Sequence, residues 1–258
     1  MYVVNLIVSR IGQSALLLAL VCLYNTLSTQ EGEPMFQAVI FDMDGTLLDT
    51  ERLALIAWEE AARRLNIDVS YEVLLRTVGR DGQDTRKIIR EAVGDDKDID
   101  ALDALTHEIH RGHLEEGAPL KAGARELLQR LKDAGIPMVL ATSTPYGGAE
   151  SRLRKVGLWE YFHGAACGDQ VERGKPFPDI FLLAARRCGV EPARCVAIED
   201  SPAGLRAAKA AGMTTVMVPD LVTPDDASRA HADFVAADLF EAGDWICSRF
   251  CGMAAKPL

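Results

Sequence analysis

Apolar and polar positions follow two regimes along this chain. From Glu51 to about Gly117 the apolar residues recur at helical spacing in four segments, RLALIAWEEAARRL, YEVLLRTV, DTRKIIREAV and IDALDALTHEIHRGHL, with Gly, Asp or Asn between them. From Leu120 onward short apolar runs alternate with helical ones. Strands are expected at 137–143 (PMVLATS), 164–167 (GAAC), 195–200 (CVAIED), 214–218 (TTVMV) and 233–236 (DFVA), and helices at 122–134, 146–156, 178–188, 201–211 and 239–249. That alternation is the signature of a parallel sheet covered on both faces. One more apolar run, QAVI, precedes the helical stretch, so its strand joins a sheet that resumes about 70 residues later, and the intervening helices form an insertion. The expected class is α/β, a doubly wound parallel sheet with an inserted all-helical domain. Its parts are a core at 35–50 and 118–258 and helices at 51–117.

Composition narrows the class. The chain of 258 residues is 48% hydrophobic and 26% charged, which suits a globular enzyme and excludes disordered, collagen-like and disulfide-scaffold chains. A net charge of −10 without a basic stretch excludes the electrostatic footprint of a nucleic-acid binder, so an anionic ligand would need a local positive site. The six cysteines, at 22, 167, 188, 195, 247 and 251, form no CxxC pair and fit free thiols in a reducing, cytoplasmic compartment.

Residues 1–34 differ from the rest. Residues 11–30 carry no charge, and SALLLALVCLY resembles the apolar stretch of a signal peptide. It is shorter than the roughly 20 apolar residues that span a bilayer, so no membrane partner is expected. Met35 stands directly before the first strand, and the functional protein is expected to start near it, with 1–34 as a leader outside the fold. A secreted or tethered form is the minor alternative.

Candidate chemistry gathers at strand ends. FDMDGTLLDT follows the first strand and sets Asp42 and Asp44 one residue apart before Gly45, at the edge where an open parallel sheet receives ligands. Turn chemistry would explain one aspartate, but a close pair repels and is relieved by a cation or a shared proton. The other strand ends carry Thr142, Ser143 and Thr144, then Glu199 and Asp200, and GKPFPD supplies Lys175. Singly, each has an ordinary reading as a helix cap or a solvated loop residue. Together they suit phosphoryl transfer. Asp42 would attack phosphorus, Asp44 would protonate the leaving oxygen and later deprotonate water, and Asp42 with Asp200 would bind Mg²⁺, while an ammonium and hydroxyls hold the phosphate oxygens.

The ordered set DMDGT, TST, GKPFPD and IEDSPAG resembles the haloacid dehalogenase-like hydrolase superfamily, in its β-phosphoglucomutase-like branch of sugar-phosphate phosphatases. The resemblance covers about residues 35–240. It implies a Rossmann-like core, a C1-type helical cap at about 51–117 and an aspartyl-phosphate intermediate on Asp42. By motif it implies a metal contact from the Asp44 backbone carbonyl, phosphate binding by Thr142 and Ser143, and a Lys175 that steadies phosphate and nucleophile. It also makes Asp200 a metal ligand, with Glu199 acting nearby through water. Carbon–halogen cleavage does not transfer, because members with that chemistry resemble the chain in the nucleophile but usually lack the second aspartate. Mutases of this branch use a histidine at the cap hinge, where Ala54 aligns here, and this favours a phosphatase.

The expected reaction is therefore Mg²⁺-dependent hydrolysis of a small phosphorylated metabolite, a sugar or polyol phosphate. The alternatives are a phosphosugar mutase and, from another class, a catalytically silent binding protein on the same fold. Arg80 and Gln83, in the loop GRDGQDT, are candidates for substrate contact, against an ordinary reading of Arg80 as solvated. His107, His110 and His113 are spaced around a helix instead of toward one metal, and a solvated face is expected for them. The sequence leaves the oligomeric state open.

Overall fold

Strand β1 (Ala38–Phe41) is buried at every residue, which accounts for its unbroken apolar run: a strand covered on both faces has no polar side to show. In the computed structural model, residues 36–80, 82–94 and 97–250 are described. The leader assigned to 1–34, Met35, Cys22 and Cys251 lie outside them.

β1 is central in a six-stranded, all-parallel sheet. The other strands are β2 (Met138–Thr142), β3 (Gly164–Cys167), β4 (Cys195–Glu199), β5 (Thr214–Met217) and β6 (Phe234–Val235), in the order β3-β2-β1-β4-β5-β6. Ile40 pairs with Val139 on one side and with Ala197 on the other. Alternate residues face opposite layers. Val39 and Phe41 pack with helices α5 (Ala124–Asp133), α6 (Tyr146–Lys155) and α10 (Leu239–Cys247). Ala38 and Ile40 pack with α7 (Asp179–Cys188) and α8 (Pro202–Ala210). The chain thus has the Rossmann-like, doubly wound α/β fold.

Between β1 and β2 run four helices, α1 (Thr50–Arg64), α2 (Tyr71–Leu75), α3 (Gly82–Val93) and α4 (Ile99–Glu116). They hold an apolar cluster of their own: Leu55, Trp58 and Ala61 of α1 meet Leu74, Ile89 and Leu102. The Ser70 and Asp98 side chains cap α2 and α4 by accepting from Val73 N and Ala101 N. The helical periodicity of YEVLLRTV overran α2, which stops at Leu75 where the backbone tightens into turns, Thr77 N donating to Leu74 O and Arg80 N to Thr77 O around Gly79 at φ +69°. The chain leaves and re-enters the core through a narrow neck. There Asp49 N donates to Pro119 O and Lys121 N donates to Leu47 O, both at 2.9 Å, and Leu48 bridges Leu120.

β6 keeps two residues of the expected four, and just before it the Asp233 carboxylate accepts from Thr215 N at 2.9 Å. A short helix, α9 (Asp226–Arg229), falls where no periodicity marked one. Among the described residues no helix is long and apolar enough to cross a membrane.

Candidate active site

The strand order reverses direction between β1 and β4, and at such a switch point the two following loops diverge and leave a crevice. Asp42 follows β1; Glu199 ends β4 and Asp200 follows it. The Asp42 N–H donates to the Ile198 carbonyl at 3.0 Å, so the ladder continues up to the acids themselves. One carboxylate oxygen from each of Asp42, Glu199 and Asp200 lies within 4.8 Å of the others.

Lys175 reaches into this cluster. Its Nζ donates to Asp42 Oδ1 at 2.5 Å and to Glu199 Oε1 at 2.6 Å, with its own side chain 7% exposed. The other Glu199 oxygen accepts from Ser201 N and from the Ser201 hydroxyl, at 2.8 and 2.9 Å. Asp200 Oδ1 accepts from the Thr46 hydroxyl at 2.9 Å. Two glycines let the acids approach so closely. At Gly45, with φ +86°, a β-carbon would lie 2.3 Å from Asp200 Oδ2, and Gly204 in α8 is pressed against Glu199 in the same way.

Burial dominates the electrostatics. It pushes the Asp42 carboxyl up to about 7, with Lys175 opposing and Glu199 adding to the rise. Asp200 is pushed well above the usual carboxylate range by burial, reinforced by Glu199 and Asp42. Burial acts to lower Lys175, but Asp42 and Glu199 outweigh it and hold the ammonium firmly charged. Three carboxylates and one ammonium leave two negative charges when all are ionised, the deficit that one divalent cation fills. An all-oxygen donor set suits a hard cation of the magnesium kind.

Asp44 stands apart from that cluster. Its Oδ2 accepts from the Thr144 hydroxyl at 2.7 Å and its Oδ1 from Arg152 Nη1 at 3.0 Å. Thr142, 1% exposed, accepts from Thr144 N at 3.1 Å and so shapes the loop, whereas Ser143 is exposed beside the crevice. Gly168 permits that loop its course, since a β-carbon there would lie 2.1 Å from the Ser143 carbonyl oxygen.

The insertion contributes at the rim. Gly79 lies near Pro202, which follows Asp200 and Ser201, and its N–H acts to lower the Glu51 carboxyl. Burial pushes Glu51 up to about 7, with Asp220 adding to the effect. Arg80 lines a groove with Arg76, Leu221, Val222 and Thr223, and its charge helps hold the Asp225 carboxyl low. Gln83 lines a different groove, with Arg86, Lys87 and Arg90. The histidines depart from the solvated face expected of them. His107 is exposed, but His110 and His113 are half-buried, with His110 Nε2 and His113 Nδ1 buried and without a hydrogen-bond partner among the described residues. Burial, helped by Arg152, lowers the His110 pKa.

Thr46 and Arg152 escaped the sequence reading, which placed Thr144 among the strand-end hydroxyls without giving it a role of its own. Thr46 lies inside the DMDGT run and could have been found by its spacing from Asp44. Arg152 has no local signal, because only the packing of α6 brings it to Asp44.

Comparison with known proteins gives a consistent picture. The family model described as haloacid dehalogenase-like hydrolase matches residues 36–212. A phosphorylated carbohydrates phosphatase of Thermotoga maritima is 37% identical over 180 residues, covering 70% of this chain and 83% of its own. The Escherichia coli fructose-1-phosphate phosphatase YqaB is 35% identical over 186 residues, covering 71% and 96%. The crystal structure of CbbY from Rhodobacter sphaeroides with xylulose 1,5-bisphosphate is 32% identical. It superposes with a TM-score of 0.60 over 81% of this chain and 99% of that one.

Proposed function

The chain belongs to the haloacid dehalogenase-like hydrolase family, as a phosphoric monoester hydrolase, and from that premise we propose that it hydrolyses a small sugar or polyol phosphate through a phosphorylated Asp42. The observation that carries this reading is the Asp42–Lys175–Glu199 cluster, in which a carboxylate at a strand end is held by a buried ammonium beside further acids.

Asp42 attacks phosphorus from the floor of the crevice. The bond from phosphorus to the ester oxygen breaks as the bond to Asp42 forms, and Asp44 gives its proton to the departing alcohol. Water then attacks phosphorus, the bond from phosphorus to Asp42 breaks to restore its carboxylate, Asp44 takes the water proton, and phosphate leaves. Lys175 holds the nucleophile in place and offsets the charge of the phosphoryl oxygens, which Thr142 and Ser143 help bind.

Asp42, Asp200 and the Asp44 backbone carbonyl would hold Mg²⁺. Glu199, whose oxygens are engaged by Lys175 and Ser201, would act on it from a distance. A bound Mg²⁺ supplies charge neutralisation at the phosphoryl group. The helices at 51–117 form a cap over the crevice, with Arg80 and Gln83 turned to substrate when it closes.

The relatives named for phosphorylated carbohydrates and fructose 1-phosphate support a sugar phosphate as substrate. The test is phosphate release from sugar, polyol and nucleotide monophosphates, with Mg²⁺, with EDTA and with Asp42→Asn, while isomer formation from glucose 1-phosphates is followed in parallel. Release that needs Mg²⁺ and disappears in Asp42→Asn is the expected result. Isomer without free phosphate would replace the hydrolase reading with a mutase one.

A further inference from the structure

The Asp44 carboxylate is held from two sides by groups that also touch each other. The Thr144 hydroxyl donates to Oδ2 at 2.7 Å, Arg152 Nη1 donates to Oδ1 at 3.0 Å, and the same Nη1 reaches the Thr144 hydroxyl oxygen at 3.3 Å. Three distant segments, the turn after β1, the loop after β2 and the second turn of α6, thus close a ring of hydrogen bonds. The Arg152 side chain is 25% exposed, while Arg154 on the same helix is 52% exposed and pairs with Glu150 and Glu160 in solvent.

We propose that Arg152 is a positioning residue for Asp44, fixing with Thr144 the orientation from which the carboxyl delivers a proton to the leaving oxygen. The inference rests on the acid/base role proposed for Asp44. A carboxyl group free to rotate about its Cβ–Cγ bond spends only part of its time aimed at the ester oxygen. Donors on both oxygens restrict that rotation, and misplacement by about 1 Å is enough to cost on the order of 10²-fold in rate. The guanidinium also meets the carboxylate that remains once the proton has gone to the alcohol, as the bond from phosphorus to that oxygen breaks and the bond to Asp42 forms. An ordinary surface ion pair would leave catalysis unchanged.

Leaving-group dependence separates these cases. A nitrophenolate departs without a proton, whereas a sugar alkoxide needs one, and kcat/KM reports only the steps up to departure of the alcohol. With p-nitrophenyl phosphate and the best sugar phosphate of the panel, Asp44→Asn should lose about 10²-fold or more on the sugar ester and far less on the nitrophenyl ester. Arg152→Ala should follow the same pattern more weakly, about 10-fold on the sugar ester and within about 3-fold on the nitrophenyl ester. Arg152→Lys should recover part of the loss, since an ammonium can still donate to Oδ1. Equal losses on both esters, or none, would overturn the assignment of Arg152 while leaving the role of Asp44 intact. An Asp44→Asn enzyme that shows no leaving-group dependence would bring down the acid/base reading and this inference together.

Discussion

Gly204 lies so close to Glu199 that a β-carbon built on it would come within 1.6 Å of Oε1 of the carboxylate. In an exposed helix interior, alanine in place of glycine stabilises by about 1 kcal/mol. Here the preference reverses, because the methyl group would displace the carboxylate that Lys175 and Ser201 hold. Gly204→Ala is expected to destabilise the protein by about 1–3 kcal/mol, the usual cost of overpacking, as read by urea unfolding. A stabilised variant would mean that Glu199 is free to move.

Lys175 is the ammonium shared by Asp42 and Glu199, and removing it leaves buried carboxylates facing one another. Lys175→Met should cost about 3 kcal/mol in EDTA at pH 8, in the range found when one partner of a buried pair is deleted. At pH 5.5 the loss should shrink, since the acids can then take up protons. Equal losses at the two pH values would show that the destabilisation comes from packing instead of charge.

Glu51 gives a pH dependence of definite sign. Its carboxyl is raised from 4.5 to about 7, chiefly by burial and then by Asp220, with Asp44 adding and with Gly79 N–H and Lys121 opposing. Between those values the folded chain keeps a proton that the unfolded chain has lost. This contribution to stability is therefore whole below about 4.5 and falls away as pH rises through 7. Glu51→Gln should remove that slope and gain on the parent by on the order of 2 kcal/mol at pH 8, measured by unfolding in EDTA. Parallel stability curves for the two proteins across pH 4.5–8 would be incompatible with a raised Glu51.

The Cys188 thiol is lowered, first by its contact with Cys195, with Val190 and Cys188 N–H groups assisting against burial. Cys195 is shifted upward by the same contact. Alkylation followed by peptide mass should therefore mark Cys188 before Cys195, with a midpoint below the ordinary value of about 8.5. Cys195→Ala should move that midpoint upward. No movement would place the cause elsewhere.

The sheet was readable because its strands are covered on both faces and so announce themselves as unbroken apolar runs. GAAC coincides with β3, and PMVLATS contains β2 with one residue to spare at each end. That polar strand ends should meet in one crevice also followed from the alternation of strands and helices, and the ends carrying Asp42, Glu199 and Asp200 do meet. What the sequence withheld depends on packing between segments. Nothing near Arg152 indicates Asp44, 108 residues away, and no periodicity shows that His110 turns inward while His107 stays in water. α9, at four residues, is too short to display a helical period, and α2 ended early in a run of tight backbone turns that no apolar pattern encodes.

The neck between Leu47–Asp49 and Pro119–Lys121 carries a consequence for how such a chain can change over time. Because the exit and the return are already paired, the segment between them contributes no net displacement to the path of the sheet. Lengthening it adds only a slowly growing closure cost, about 0.6 kcal/mol per doubling for a flexible loop. Selection can therefore rewrite the inserted helices, or exchange them wholesale, without disturbing the pairing of β1 with β2. The acids at the strand ends and the inserted helices are inherited here on separate lengths of one chain.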